Sequence, residues 1–72
     1  MKIISYIEKD TETGLFIGIA PSVPGAYTQA ATIEEVQKNL VEVIELCLQE
    51  LTEQERQALP EFIAVQEVEV SL

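Results

Sequence analysis

The side chains that could do chemistry in this 72-residue chain are almost all glutamates. Thirteen acidic residues stand against four basic ones, which gives a formal net charge of −9. There is no histidine, and Cys47 and Asp10 are the only cysteine and the only aspartate. Acid–base catalysis, an activated nucleophile and a zinc site each need histidine, paired cysteines or converging carboxylates. The composition therefore predicts a protein that is not an enzyme and that holds no metal and no cofactor.

Cys47 cannot form an intramolecular disulfide, because the chain has no second cysteine. It falls within an apolar helical stripe, where a small core residue is a better interpretation than a nucleophile. No apolar run is long enough for a signal-peptide core or a membrane span. These features predict a soluble protein of the reducing cytoplasm, with no membrane association.

The charge balance also selects among binding partners. A nucleic-acid surface needs clustered lysine and arginine, and the four basic residues of this chain are scattered along it. Direct nucleic-acid binding is therefore not expected. A basic protein partner fits better, because complementary fields speed encounter and favour the correct partner. The alternative is that the acidity only keeps a small domain soluble.

The longest helical pattern begins at a capping-box spacing, with Thr32 three residues before Glu35. Apolar residues then recur at helical spacing and predict a helix over residues 33–51. The apolar stripe consists of Ile33, Val36, Leu40, Val43, Ile44, Cys47, Leu48 and Leu51, with Val41 at its margin.

The opposite side of this helix is acidic and includes one leucine. Glu35, Glu42 and Glu45 fall on this side, and Leu46 lies among them rather than on the apolar stripe. Such glutamates commonly form only a solvated surface, and single exposed leucines are common as well. The candidate partner-binding residues are these four together with two glutamates near the C-terminus: Glu35, Glu42, Glu45, Leu46, Glu67 and Glu69.

Three strands are predicted before the helix, over residues 2–8, 15–20 and 26–31. The loop between the first two ends in Gly14, which suits a turn that needs positive φ, and Gly18 in the second strand indicates a bulge or a close backbone approach. Between the second strand and the helix lies a structural corner, defined by Pro21, Pro24, Gly25 and Thr32. Three side chains in this region are expected to be exposed: Ser22, Val23 and Tyr27. Any binding role for them is secondary to the structural role of the corner.

The C-terminal third predicts a short helical turn and a last strand. Thr52 and Glu55 repeat the capping spacing, and Pro60 ends the turn. Val68, Val70 and Leu72 then alternate with polar residues, as in a strand with one buried face over residues 68–72. The predicted order is β-β-β-α-β, an α+β fold with one main helix packed on an antiparallel or mixed sheet, in a single domain of residues 1–72.

The aromatic side chains could also be considered as a base-stacking platform. They are spread over separate strands and have no interleaved arginine or lysine to bind phosphates. The residues concerned are Tyr6, Phe16, Tyr27 and Phe62. We predict that they fill the core.

The order and spacing of these parts resemble the HicB-like antitoxin family, including small proteins of the UPF0150 type. The resemblance extends from Tyr6 to residues 68–72 and rests on a strand ending at Pro21, followed by Pro24, Gly25, Thr28, Thr32, Glu35, Asn39, Glu42 and Ile44. It implies a partial RNase-H-like fold. Longer members of that family carry a C-terminal DNA-binding domain, which this chain is expected to lack.

The resemblance also implies a function. An antitoxin of this kind would bind and neutralise a small basic RNA-cleaving toxin, as half of a type II toxin–antitoxin pair. The alternative is a stand-alone homo-oligomeric domain with a structural or small-ligand-binding role and no cognate toxin. In either case the small size and apolar content favour a homodimer or a higher homo-oligomer.

Overall fold

A computed structural model describes the whole chain, Met1–Leu72, and contains three strands and two helices. The elements are β1 (Tyr6–Lys9), β2 (Phe16–Ile19), β3 (Tyr27–Ala30), α1 (Ile33–Gln49) and α2 (Glu53–Gln57). The strands form one antiparallel sheet in the order β1-β2-β3, and α1 packs on β2 and β3. The predicted α+β class, with one main helix on an antiparallel sheet, is confirmed.

The first strand is shorter than predicted, because its partner strand ends. Tyr6 stands opposite Ile19, the last residue of β2. The Ala20 N–H then donates to the Ala26 carbonyl at 2.9 Å, and the chain turns away at Pro21. Residues 2–5 consequently have no neighbouring strand within the chain.

The loop that joins β1 to β2 is held by its own polar groups. The Asp10 carboxylate accepts from the Glu12 N–H at 2.9 Å, and the Asp10 carbonyl accepts from the Gly14 N–H at 2.8 Å. Gly14 has φ of 74°, a region that residues with a Cβ rarely adopt. The predicted turn with Gly14 at positive φ is confirmed.

The corner between β2 and β3 has the structural role predicted for it. Gly25 has φ of 77°, and the Val23 N–H donates to the Ala20 carbonyl at 3.0 Å. Of the side chains expected to be exposed, Tyr27 is exposed and Ser22 is half-buried. The expectation for Val23 was wrong: it is buried, because it packs with Ala20 and Ala26 in a small core cluster. Half-buried side chains of the N-terminal segment and of α1 surround this cluster: Ile3, Ile44, Cys47 and Leu48.

Helix α1 begins where predicted, with half of the capping box. The Thr32 hydroxyl accepts from the Glu35 N–H at 3.2 Å and donates to the Glu35 carboxylate at 3.0 Å. The carboxylate thus bonds the hydroxyl instead of the Thr32 N–H. The helix ends at Gln49 rather than at Leu51, because Thr52 adopts extended backbone as the N-cap of α2. Ile33, predicted on the buried stripe, is exposed in the first turn.

The complete capping box lies at α2. The Thr52 hydroxyl accepts from the Glu55 N–H at 3.1 Å, and the Glu55 carboxylate accepts from the Thr52 N–H at 2.9 Å. The hydrogen bond from the Thr52 N–H, with a smaller contribution from the Thr52 hydroxyl, holds the pKa of Glu55 below its usual range. Neither α1 nor α2 is both long enough and apolar enough to cross a membrane.

This capping box predicts a pH dependence for the start of α2. Because folding lowers the pKa of Glu55, the stabilisation is present above the unfolded pKa and is lost as pH falls through the folded pKa. We expect Thr52→Val to raise the titration midpoint of Glu55, measured by carbonyl NMR, and to fray α2 at neutral pH. Thr32→Val at the other helix start is the matched control and should leave that midpoint unchanged. A Glu55 midpoint that is the same with and without the Thr52 hydroxyl would contradict this assignment.

Helix α1 packs closely on β2 at Gly18. A Cβ placed on Gly18 would lie 2.6 Å from Val36 Cγ1 and 2.7 Å from Leu40 Cδ1. Val36 is fully buried and Leu40 nearly so. The register through Gly18 is continuous on both sides, so the glycine permits a close approach of α1 and does not mark a bulge.

The predicted last strand is wrong for the single chain. Residues 60–72 form no helix and no strand, and every one of them is exposed. The alternation of Val68, Val70 and Leu72 is typical of a strand, but a strand needs a neighbouring edge, and none is supplied to this segment within the chain. The observed element order is therefore β-β-β-α-α.

Candidate protein-interaction surface

The outward side of α1 forms an acidic surface, which we call the acidic helix face and define by Glu35, Glu42, Glu45 and Leu46. All four side chains are exposed. Glu35 and Glu42 are seven residues apart, about two helical turns or roughly 10 Å along the axis. The structure thus brings these four predicted residues together on one side of one rigid element.

The carboxylates of this face form no ion pair within the chain. Lys38, the only basic residue of α1, lies on the same side of the helix, three residues from Glu35 and four from Glu42, and α1 also carries Glu34. The one ion pair in the molecule joins Arg56 to Glu53 at 3.2 Å, on α2. The carboxylates of the acidic helix face therefore remain available to cations of a partner, and such pairs steer association over longer distances than apolar contacts do.

Leu46 adds an apolar element to this face. Its side chain is 61% exposed, as its position opposite the apolar stripe predicted. An exposed leucine among carboxylates combines an apolar contact with surrounding charge, an arrangement that protein interfaces share.

Glu67 and Glu69 do not join the acidic helix face. Both are exposed, but they lie on the extended C-terminal segment and not in the sheet. The C-terminal segment is therefore a second acidic part of the surface, separate from α1. Pro21, Pro24 and Gly25 form the corner between β2 and β3, Thr32 caps α1, and none of the four carries a charge.

A second exposed surface was missed by the sequence argument. Tyr6, Ile19 and Tyr27 stand directly opposite one another on β1, β2 and β3. Opposed residues of antiparallel strands point to the same side, and the neighbouring Gly18 points to α1. The row of Tyr6, Ile19 and Tyr27, which we call the open-face row, therefore lies on the side of the sheet that no helix covers.

The open-face row corrects the prediction that the aromatic side chains fill the core. Tyr27 is 68% exposed, and Tyr6 and Phe62 are exposed as well. Phe16 alone is half-buried, with the Lys9 ammonium 5.6 Å from its ring centre. The parity of β2 was the available signal: Gly18 and Ala20 alternate with Ile17 and Ile19, so one face had to approach the helix and the other had to lie outside.

Potential nucleophiles and ligands do not converge anywhere in the structure. No three cysteine, aspartate or glutamate side chains lie close enough together to hold a metal ion. Cys47 is half-buried against the cluster of Ala20, Val23 and Ala26. What the surface offers is charge on one helix and apolar side chains on one sheet face, which suits protein binding.

Comparison with known proteins finds three relatives that match most of this chain. A UPF0150 protein of Synechocystis sp. is 45% identical over 64 residues, which cover 89% of this chain and 87% of the relative. A UPF0150 protein of Thermotoga maritima is 42% identical over 66 residues, 92% of this chain and 85% of its own length. A UPF0150 protein of Archaeoglobus fulgidus is 43% identical over 70 residues, 97% and 96% of the two chains. No family model matches, and no solved structure matches.

Proposed function

The chain belongs to the UPF0150 family, and from this premise we propose that it is an antitoxin-like protein of the HicB type. In this proposal it binds and neutralises a small, basic, RNA-cleaving toxin of a type II toxin–antitoxin pair. The chain itself contacts protein rather than nucleic acid, is not an enzyme, and acts in the cytoplasm.

The observation that carries the proposal is the group of carboxylates on the acidic helix face, none of which forms an ion pair within the chain. The net charge of −9 favours a cationic partner, and α1 concentrates carboxylates on a rigid element with an exposed leucine among them. A nuclease that binds RNA must present clustered lysine and arginine to phosphates. A helix face of closely spaced carboxylates can occupy those cations and so exclude the substrate.

In this proposal the protein inhibits the nuclease by competing with RNA for its basic surface, and the attraction is mainly electrostatic. The carboxylates of α1 substitute for RNA phosphates on the basic surface of the nuclease, and the exposed Leu46 supplies the apolar contact at the centre. Association should therefore be fast at low salt and weaken as ionic strength rises.

The experiment is co-expression with the product of an adjacent gene that encodes a small basic protein with a histidine available for RNA cleavage. We expect a tag on the basic protein to retain this chain in stoichiometric amount at moderate salt. As a control, a basic protein of similar size and charge that does not cleave RNA should retain much less. The absence of any such neighbour, or equal retention on both baits, would contradict the proposal.

A second candidate function is a stand-alone homo-oligomer without a toxin. It is favoured by the open-face row, because Tyr6 and Tyr27 leave large apolar side chains in contact with water on the uncovered side of the sheet. Co-purification distinguishes the two functions, since only the antitoxin needs a second gene product.

A further inference from the structure

The C-terminal segment, residues 60–72, has the residue pattern of a strand and no partner strand within the chain. Val68 and Val70 are 68% and 71% exposed, and they alternate with Glu67 and Glu69. Such alternation is typical of a strand that buries one face. An extended segment of this kind leaves its backbone hydrogen-bonding groups and its apolar face to be satisfied by another sheet edge.

The dimensions of the single chain show how much surface is left uncovered. A folded monomer of 8.0 kDa is expected to expose about 4,450 Å², whereas this chain exposes 6,039 Å². The excess of about 1,600 Å² exceeds the roughly 800 Å² that each partner buries in a typical specific interface. The radius of gyration is 13.9 Å, against about 11 Å for a compact domain of this length. One chain alone therefore leaves enough area open to form a stable interface with another.

The edge that could receive a strand is that of β1. It is an outer strand of the sheet, and the preceding residues 2–5 are equally unpaired. Beside this edge, on the helix side of the sheet, runs an apolar groove between the N-terminal segment and α1, which we call the β1 groove. Its apolar lining consists of Ile3, Tyr6, Ile7, Leu40, Val41 and Ile44, and Ser5 and Gln37 complete it. Val41 is 58% exposed in the single chain because nothing fills this groove.

The chain's own C-terminal segment lies on the other side of the N-terminal residues. Phe62 and Val65 line a cleft with Ile4 and Tyr6. Ile4 has the opposite parity to Ile3 and Ile7, so the cleft opens on the other side of the N-terminal residues, with Tyr6 between the cleft and the β1 groove. No residue of the C-terminal segment lines the β1 groove. The groove is thus left for a segment that comes from elsewhere.

We propose that residues 67–72 of one chain add as a fourth strand to the β1 edge of a second copy, and that the second copy does the same in return. In this reciprocal dimer Val68, Val70 and Leu72 fill the partner's β1 groove and cover its Val41. The arrangement is isologous and closes at two chains. Strand addition supplies main-chain hydrogen bonds, and the groove selects the alternate side chains.

Charge complementarity supports a second copy as the occupant. The N-terminal segment and β1 contain two of the four basic residues of the chain, Lys2 and Lys9, while the C-terminal segment carries Glu61, Glu67 and Glu69. With Val68 and Val70 turned to the groove, Glu67 and Glu69 lie on the same side of the sheet as Lys2. Glu8 of β1 lies on that side as well, so Lys2 is the residue with which the acidic C-terminal segment can pair at this edge.

The test is the mass of the full chain in solution, measured by sedimentation over a range of concentrations. We expect a species of twice the 8.0 kDa chain mass. Val68→Lys with Val70→Lys should raise the dimer dissociation constant on the order of 100-fold or more, because four buried valines per dimer become charged. Glu67→Gln with Glu69→Gln changes the net charge by the same amount, but on the other face of the strand. This variant should raise the dimer dissociation constant by less than about tenfold.

A second measurement distinguishes pairing between chains from closure of a chain on its own edge. In a mixture of isotope-labelled and unlabelled chains, we expect intermolecular contacts between the methyl groups of Val68 or Val70 and those of Val41 or Ile44. A monomeric wild type, contacts that arise only within one chain, or a dimer whose dissociation constant is indifferent to Val68→Lys with Val70→Lys would each overturn the proposal. Both variants lie on exposed positions, and an unchanged helical signal confirms that the body of the domain is folded.

Discussion

Replacing Gly18 by valine is expected to remove most of the stability of the domain, although valine is a better strand residue than glycine. Strand propensity alone predicts a gain of up to about 1 kcal/mol. The structure predicts a loss, because the first added carbon would lie 2.6 Å from Val36 and 2.7 Å from Leu40. Val36 is fully buried, and β2 is held by strands on both sides, so neither neighbour can move far.

The size of this effect can be bounded. Overpacking a dense core typically costs about 1–3 kcal/mol for the first added carbons. A domain of this length has a total stability of roughly 4–11 kcal/mol. We expect Gly18→Ala to lower the free energy of unfolding by about 1–3 kcal/mol and Gly18→Val by more. Urea denaturation at one fixed protein concentration measures both, since self-association would otherwise shift the midpoint.

Two controls make the Gly18 prediction specific. Gln29→Val places the same side chain at an exposed position of β3, where we expect the free energy of unfolding to change by no more than about 0.5 kcal/mol. Leu40→Ala removes the two Leu40 atoms that crowd position 18, so Gly18→Ala combined with Leu40→Ala should cost less than the sum of the two single changes. Additive costs, or a Gly18→Val variant as stable as the original, would show that α1 does not press on β2 as described.

Reversing two charges on the acidic helix face should have the largest effect on partner binding. In the proposed complex Glu35→Lys with Glu42→Lys replaces two attractive contacts with repulsive ones against a basic surface. We expect the affinity for the nuclease to fall by a factor of about 10 to 1,000, equivalent to roughly 1.4–4 kcal/mol. Titration calorimetry at two salt concentrations measures the loss and also its expected decrease with ionic strength.

The matched control reverses the same number of charges elsewhere. Glu12 and Glu61 are exposed and lie outside α1, so Glu12→Lys with Glu61→Lys changes net charge equally without altering the acidic helix face. We expect this variant to bind within about threefold of the original, because only the long-range field changes. Equal losses in the two double variants would assign the effect to net charge and not to the helix face. Glu35→Lys with Glu42→Lys should not change the mass of the proposed homodimer, because both residues lie outside the β1 groove.

Local features of the fold were predicted well because their causes are local. The turn at Gly14, the corner at Gly25 and the capping box of Thr52 with Glu55 each depend on residues within a few positions of one another. The exposure of Leu46 followed from helical periodicity alone. These predictions needed only backbone preferences and spacing.

The failures share a different cause. The last strand was predicted from the alternation of Val68, Val70 and Leu72, but alternation cannot state which edge a strand pairs with, or whether that edge is in the same chain. Tyr6 and Tyr27 were assigned to the core from residue type, whereas burial depends on which face of the sheet α1 covers. Gly18 determines that face, and its role became evident only with the register and the position of α1.

The proposed self-association and the proposed antitoxin function use adjoining parts of the surface. The β1 groove lies beside β1 and the inner margin of α1, while Glu35, Glu42 and Leu46 point outward from the same helix. Glu45 lies at the border, beside Ile3, Val41 and Ile44. A reciprocal dimer would present two acidic helix faces, each free for a nuclease. Two sites held together raise the apparent affinity for a dimeric or clustered partner without any new contact.

The most direct test of the central claim is a titration of RNA cleavage by the purified basic nuclease with this protein. If the protein is an antitoxin, cleavage should fall linearly to background at one chain per nuclease. The Glu35→Lys, Glu42→Lys variant should then be needed in large excess to reach the same inhibition. Cleavage that continues at full rate in the presence of saturating protein would contradict the antitoxin function. It would leave the chain as a homo-oligomeric domain without a toxin.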